Sequence, residues 1–116
     1  MTYREKVENT FRNVSSVLIE ASGTLLFDEL YLFGSAARGQ LKLGSDLDFL
    51  VIVNDPSIRK KVSQAIELLD LREDVGDVPV DIIVRTRAYI ESGYDLFSRE
   101  VLRDRKLLWR RGDNYV

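Results

Sequence analysis

The sequence predicts an α/β fold, a small mixed β-sheet flanked by helices, in a single domain spanning residues 1–116. Three observations carry this expectation. Segments with helical apolar spacing alternate with short strand-like apolar runs, the pattern of a sheet layered by helices. A chain of 116 residues is long enough for one hydrophobic core and too short for two ordinary domains. Its composition, 45% hydrophobic and 31% charged, is that of a globular protein, with no repeat, low-complexity tract or linker.

The elements follow in order. Tyr3, Val7, Phe11, Val14 and Leu18 recur at steps of four, four, three and four residues, one face of a helix, and Ser22 with Gly23 predicts its end. LYLF (Leu30 to Phe33) reads as a buried strand that runs straight into Gly34. LDFLVIV (Leu47 to Val53) is the clearest strand of the chain, closed by Asn54, Asp55 and Pro56. Pro56 suits the first turn of a helix, in which Ile58, Val62, Ala65, Ile66 and Leu69 restore helical spacing; this helix is predicted to end before Gly76. VPVDIIV (Val78 to Val84) supplies a third strand, with Pro79 at its start, where a missing donor is tolerated. Arg87 to Arg105 reads as one or two helices broken at Gly93, and KLLW (Lys106 to Trp109) as a short edge strand.

Composition narrows the chemistry. A formal net charge of -2 argues against a protein that works by gripping nucleic acid through phosphate neutralisation. Histidine is absent, which removes the commonest general base and the usual partner of a Ser or Cys nucleophile. With cysteine absent as well, four-ligand zinc sites lose their usual donors. No apolar run approaches the roughly 20 residues that span a bilayer, and the opening MTYREKVENT has no apolar signal core. The expected setting is cytoplasmic, with no membrane partner.

If the chain is an enzyme, carboxylates, hydroxyls, Arg, Lys and metal-oxygen chemistry must therefore carry the reaction. Residues two apart in a strand point to one face, so Asp46 and Asp48 should project side by side at the amino end of LDFLVIV. Two carboxylates held this close repel, and a divalent cation relieves the repulsion most directly; oxygen-only ligands favour magnesium or manganese. Asp81, between Val80 and Ile82, completes a three-carboxylate cluster if its strand pairs beside Leu47 to Val53. Such a cluster can hold two magnesium ions, which would align an attacking hydroxyl with a phosphorus atom and stabilise a departing pyrophosphate. Gly34 allows a tight turn, and the Ser35 hydroxyl with nearby amides would face an anion at the start of a short helix, Ala36 to Gln40. Gly34 and Gly39 also have the spacing of a P-loop's glycines, but Gln40 and Leu41 stand where its Lys and Ser or Thr belong, which excludes that motif.

The run GSAARGQLKLGSDLDFLV followed by VDIIV resembles the nucleotidyltransferase superfamily related to DNA polymerase beta, whose signature is a Gly-Ser pair, about ten residues, Asp-x-Asp, and a later strand Asp. Ten residues, Ala36 to Ser45, separate Ser35 from Asp46 here. The short chain and the GSxARG and SDxD wording are similar to the minimal nucleotidyltransferases, including the MntA-type antitoxins encoded beside a helical HEPN toxin. The resemblance implies a polymerase beta palm-like fold. It implies that Gly34, Ser35, Arg38 and Ser45 bind the nucleotide, and that Asp46, Asp48 and Asp81 are the catalytic and metal-binding residues for two Mg2+ ions, with Mn2+ an alternative. It further implies ATP or another NTP as donor, a partner HEPN toxin as acceptor through a tyrosine hydroxyl, and a separate protein supplying the acceptor-gripping surface that larger members carry themselves.

Two other functions stay open: a non-catalytic antitoxin that masks a helical partner, and transfer to a small molecule such as an aminoglycoside. The remaining polar features read as ordinary surface or packing. Asp74 and Asp77 are expected to be solvated, the cluster Arg103, Arg105, Lys106, Arg110 and Arg111 to form a solvated face or partner contact, and Trp109 to pack.

Overall fold

The computed structural model describes residues 1–40 and 46–112, and they form a mixed α/β fold with one four-stranded sheet between helices. Helix α1 (Tyr3–Leu25) opens at a capping box: Glu5 N–H donates to Thr2 Oγ1 at 3.2 Å and Thr2 N–H donates to Glu5 Oε1 at 3.2 Å. It runs through the predicted stop at Ser22 and Gly23 and ends at Leu26, which adopts the left-handed conformation (φ 60°) and donates its N–H to Ser22 O at 3.1 Å. A residue far along the chain secures this end: the Arg111 guanidinium donates to Ser22 O at 2.6 Å and to Phe27 O at 2.7 Å. Tertiary hydrogen bonding thus outweighs the roughly 1 kcal/mol that an interior glycine costs a helix.

The sheet has the order β3-β2-β1-β4. β1 (Glu29–Phe33) lies antiparallel to β2 (Leu47–Val53), with Leu30 opposite Val51 and Leu32 opposite Phe49. A one-turn helix, α2 (Gly34–Ala37), follows β1 directly, so it starts two residues earlier than predicted and is shorter. After β2 the chain makes a 3-10 turn at Pro56–Ile58, capped by Asp55, and continues as α3 (Arg59–Glu67). The helix predicted to end before Gly76 stops at Glu67, short of Leu69 in its apolar spacing, and α4 (Arg72–Val75) is a separate turn.

The crossover returns the chain parallel to β2 as β3 (Val80–Thr86), two residues later at each end than predicted. Pro79 stays outside the strand, its carbonyl accepting from Leu47 N–H at 2.9 Å. The two-helix reading of the tail holds, as α5 (Arg87–Glu91) and α6 (Leu96–Asp104), with Gly93 at φ 60° in the break. β4 (Lys106–Arg110) is an edge strand beside β1.

Strand alternation divides the apolar side chains between the two faces. One face carries Leu30, Leu32, Phe49, Val51 and Val53 against Val14 and Leu18 of α1 and Val62 and Ile66 of α3. The other carries Tyr31, Leu50 and Ile52 against Ile90 of α5 and Val101 of α6. By the same alternation Asp48 shares the second face with Leu50 and Ile52, and Asp81 shares it with Ile83. Among the described residues no helix is long and apolar enough to cross a membrane.

Candidate active site

Three strands' ends build the site. In the sheet register Asp48 lies between Phe33 on the antiparallel β1 and Asp81 on the parallel β3. Neighbouring strands run about 4.8 Å apart and directly paired residues share a face, so Asp48 and Asp81 stand side by side. Asp46 precedes β2 by one residue and shares the parity of Asp48. Asp48 is half-buried, whereas Asp46 and Asp81 are exposed.

The charges of this trio act on one another. The Asp48 carboxyl is pushed above its ordinary value by burial first, and then by the negative charges of Asp46 and Asp81. Among the described residues no three acidic side chains converge tightly enough to be a finished cation site as they stand. The donor set nevertheless fits a hard divalent cation: it offers carboxylate oxygens alone, and the strain on Asp48 is one that a cation beside it would reverse.

Gly34 lies against this carboxylate. Its φ is 75°, and a Cβ built there would sit 2.5 Å from Asp48 Oδ2. Only glycine combines that backbone conformation with so close an approach. Ser35 follows in the single turn of α2, with Ser35 O accepting from Gln40 N–H at 2.9 Å. Gly34, Ser35, Arg38 and Asp48 line one side of a cleft of about 320 Å³, and Phe97, Glu100, Val101 and Asp104 of α6 line the other. That volume suits a small organic ligand. A larger cavity, about 540 Å³, runs along α1 past Phe11, Ile19 and Leu32 on the opposite sheet face; none of the three acids lines it, so size alone does not mark the site.

Arg38 is held rather than loose: its guanidinium donates to Asp104 Oδ2 at 2.8 Å and to Gln40 Oε1 at 3.2 Å. Ser45 lies outside the described residues. The α6 wall escaped sequence reasoning, although Phe97, Glu100, Val101 and Asp104 recur at i, i+3, i+4 and i+7, the spacing of one helix face.

The basic cluster is largely exposed, as expected of a solvated face, and several of its members also have partners within the chain. Arg110 donates to the buried Glu29 carboxylate at 2.8 Å, Arg105 lies 4.6 Å over the Tyr31 ring, and Arg111 secures the end of α1. Asp77 pairs with Lys6 at 3.4 Å, and Trp109 packs edge-on against Phe27.

The model of the nucleotidyltransferase domain matches residues 18–108, most of the chain. The chain belongs to the nucleotidyltransferase domain family. This nucleotidyltransferase domain is also similar in fold to solved structures of low sequence identity. A Sulfolobus solfataricus protein described as a candidate nucleotidyltransferase is 21% identical, with a TM-score of 0.58 over 96% of this chain and 92% of that one. A toxin-antitoxin crystallised with AMP-PNP is 21% identical, with a TM-score of 0.51 over 84% of this chain and 74% of that one. A mutant of the toxin-antitoxin MntA-HpeT is 18% identical, with a TM-score of 0.49 over the same shares. No curated protein sequence matches the chain at a significant level.

Proposed function

We propose that this nucleotidyltransferase domain transfers AMP from ATP to a tyrosine hydroxyl of a helical HEPN-type partner, as an antitoxin, with Asp46, Asp48 and Asp81 as catalytic and metal-binding residues and Mg2+ as the cofactor. The observation that carries the site is the placing of Asp48: half-buried, closed in by Gly34, paired with Asp81, and raised in pKa by burial and then by both acidic neighbours. A partner toxin and an adenine nucleotide are suggested by likeness to the toxin-antitoxin crystallised with AMP-PNP, and the HEPN type and tyrosine acceptor by the resemblance of the GSxARG and SDxD motifs to the minimal nucleotidyltransferases.

In this reading Gly34 and Ser35 seat the donor's phosphates, with Arg38 beside them. The acceptor oxygen attacks the α-phosphorus and forms a new P–O bond, while the bond from that phosphorus to the α,β-bridging oxygen breaks and pyrophosphate leaves. Asp81, exposed at the strand end, takes the hydroxyl proton. Asp46, Asp48 and Asp81 would hold Mg2+, which supplies charge neutralisation at the phosphates.

Incubating the protein with ATP, magnesium and the product of its neighbouring gene should add at least one AMP to that product by intact-mass analysis. Asp46→Asn and Asp48→Asn should each abolish the addition. No mass gain with any nucleotide, or transfer undiminished by those substitutions, would overturn the reading.

A further inference from the structure

We propose that Asp104 is a positioning residue for the donor nucleotide: by pairing with Arg38 across the cleft it fixes a guanidinium beside Gly34, Ser35 and Asp48, where the polyphosphate is to bind. The inference rests on the nucleotide-binding reading of that cleft and adds a residue from outside its motif.

Arg38 sits just after α2, its N–H donating to Gly34 O at 3.2 Å, so its backbone is set by the same turn that places Gly34. The arginine side chain is otherwise long and rotamer-rich, and an unpinned one would lose that freedom when a ligand binds. Asp104 removes the freedom in advance. Its side chain is only 8% exposed, and it accepts from Arg38 at 2.8 Å and from both Nε and Nη2 of Arg103, at 3.0 and 3.1 Å. Hydrogen bonds from Arg103 and then Arg38 hold its carboxyl down to about 2, so it remains an anion across the working pH range.

The charge balance gives the arrangement a direction. One carboxylate is shared by two guanidinium groups, and of the residues that line the cleft Arg38 is the cation, against the carboxylates of Asp48, Glu100 and Asp104. A polyanion entering the cleft meets one preformed cation fork beside the Gly-Ser turn. A solvent-exposed ion pair would carry little meaning. This one is formed by an acid whose side chain is largely covered, joins α2 to α6, and lines the cleft on both sides.

The test is titration of the full chain with ATP and magnesium, with adenosine as the phosphate-free control. Asp104→Asn and Arg38→Ala should each weaken ATP binding roughly five- to tenfold, the double variant should lose no more than either alone, and adenosine affinity should not change. Asp104→Glu should recover most of the loss. Additive losses, or ATP binding unchanged or tighter in Asp104→Asn, would overturn the proposal. Should Asp104→Asn fail to fold, Arg38→Lys carries the same test, because it keeps the charge and loses the fork: ATP binding must weaken by a similar factor, and unchanged affinity overturns the proposal. Absence of ATP binding by the wild-type chain overturns the nucleotidyl-transfer reading as well, whereas wild-type binding with an unaffected Asp104→Asn overturns the positioning role alone.

Discussion

Asp48 is held in a position that folding alone does not favour. Burial and two like charges raise its pKa above 3.8, so between that value and the raised one the folded state binds more protons than the unfolded state. Stability is then lost as pH rises through that window. Replacing the charge should help the fold: Asp48→Asn is expected to raise Tm at neutral pH by a few degrees, on the order expected for a small stability gain in a domain of this size, while transfer is abolished. Thermal melts with magnesium supply the converse, since Mg2+ should raise the Tm of the wild type and leave that of an Asp46→Asn, Asp48→Asn double variant unmoved. Gly34→Ala attacks the same point sterically. A Cβ 2.5 Å from Asp48 Oδ2, on a backbone at φ 75°, must displace either the turn or the carboxylate. The expected cost is about 1–3 kcal/mol in urea unfolding, with an initial transfer rate down at least about tenfold, because small misplacements of reacting groups are expensive. The nearness of Asp46, Asp48 and Asp81 was legible because two of them lie at or just before the start of one apolar strand and the third within another that pairs beside it. Asp104 was not, because its role depends on α6 crossing α2, which no local pattern encodes.

At the scale of elements, the end of the sheet opposite the acids is tied together by Glu29. This carboxylate is 1% exposed and pairs with Arg87 at 2.6 Å, from the start of α5, and Arg110 at 2.8 Å, from the end of β4. Burial would raise its pKa, but hydrogen bonds from Arg110 and Tyr31 and the charge of Arg87 outweigh it, so the net displacement is downward. With a depressed folded pKa, its contribution is present above the unfolded value of 4.5 and is lost as pH falls through the folded one. Glu29→Ala is expected to cost about 3 kcal/mol in urea unfolding at pH 7, at the lower end for a broken buried pair because Arg110 is half-exposed. The penalty should shrink in melts at increasingly acid pH. The sequence placed the strands well because β1 and β2 are short, apolar and bounded by turn residues; β2 is observed where it was predicted, at Leu47–Val53. It misplaced helix ends, where tertiary partners decide. Gly23 reads as a stop, yet Arg111, 88 residues on, holds the carbonyl of its neighbour Ser22 and the helix continues. Leu69 continues the helical spacing, yet α3 stops at Glu67.

Across the whole molecule the sheet separates two tasks. Its α1 and α3 face is filled with apolar side chains, Val51 among them with no exposed surface, whereas its α5 and α6 face carries Asp48 at one end beside an open cleft. β2 threads both by parity: Phe49, Val51 and Val53 pack against α1 and α3, Leu50 and Ile52 pack against α5 and α6, and Asp48, at the end of that second set, faces the cleft. Substitutions of Val51 and of Asp48 should therefore have opposite signatures. Val51→Ala deletes two buried carbons, about 0.8 kcal/mol each before the cavity is counted, so roughly 2–3 kcal/mol should be lost. In urea the midpoint should fall with little change in slope, since the surface exposed on unfolding barely alters. The rate of transfer per folded molecule should stay within about twofold of wild type, because sites more than about 7–10 Å apart with no shared partners act nearly independently. Asp48→Asn should do the reverse, melting higher and transferring nothing. If Val51→Ala instead lowered the rate per folded molecule as far as it lowered stability, the faces would be coupled through the strand, and the carboxylate geometry would depend on the packing behind it.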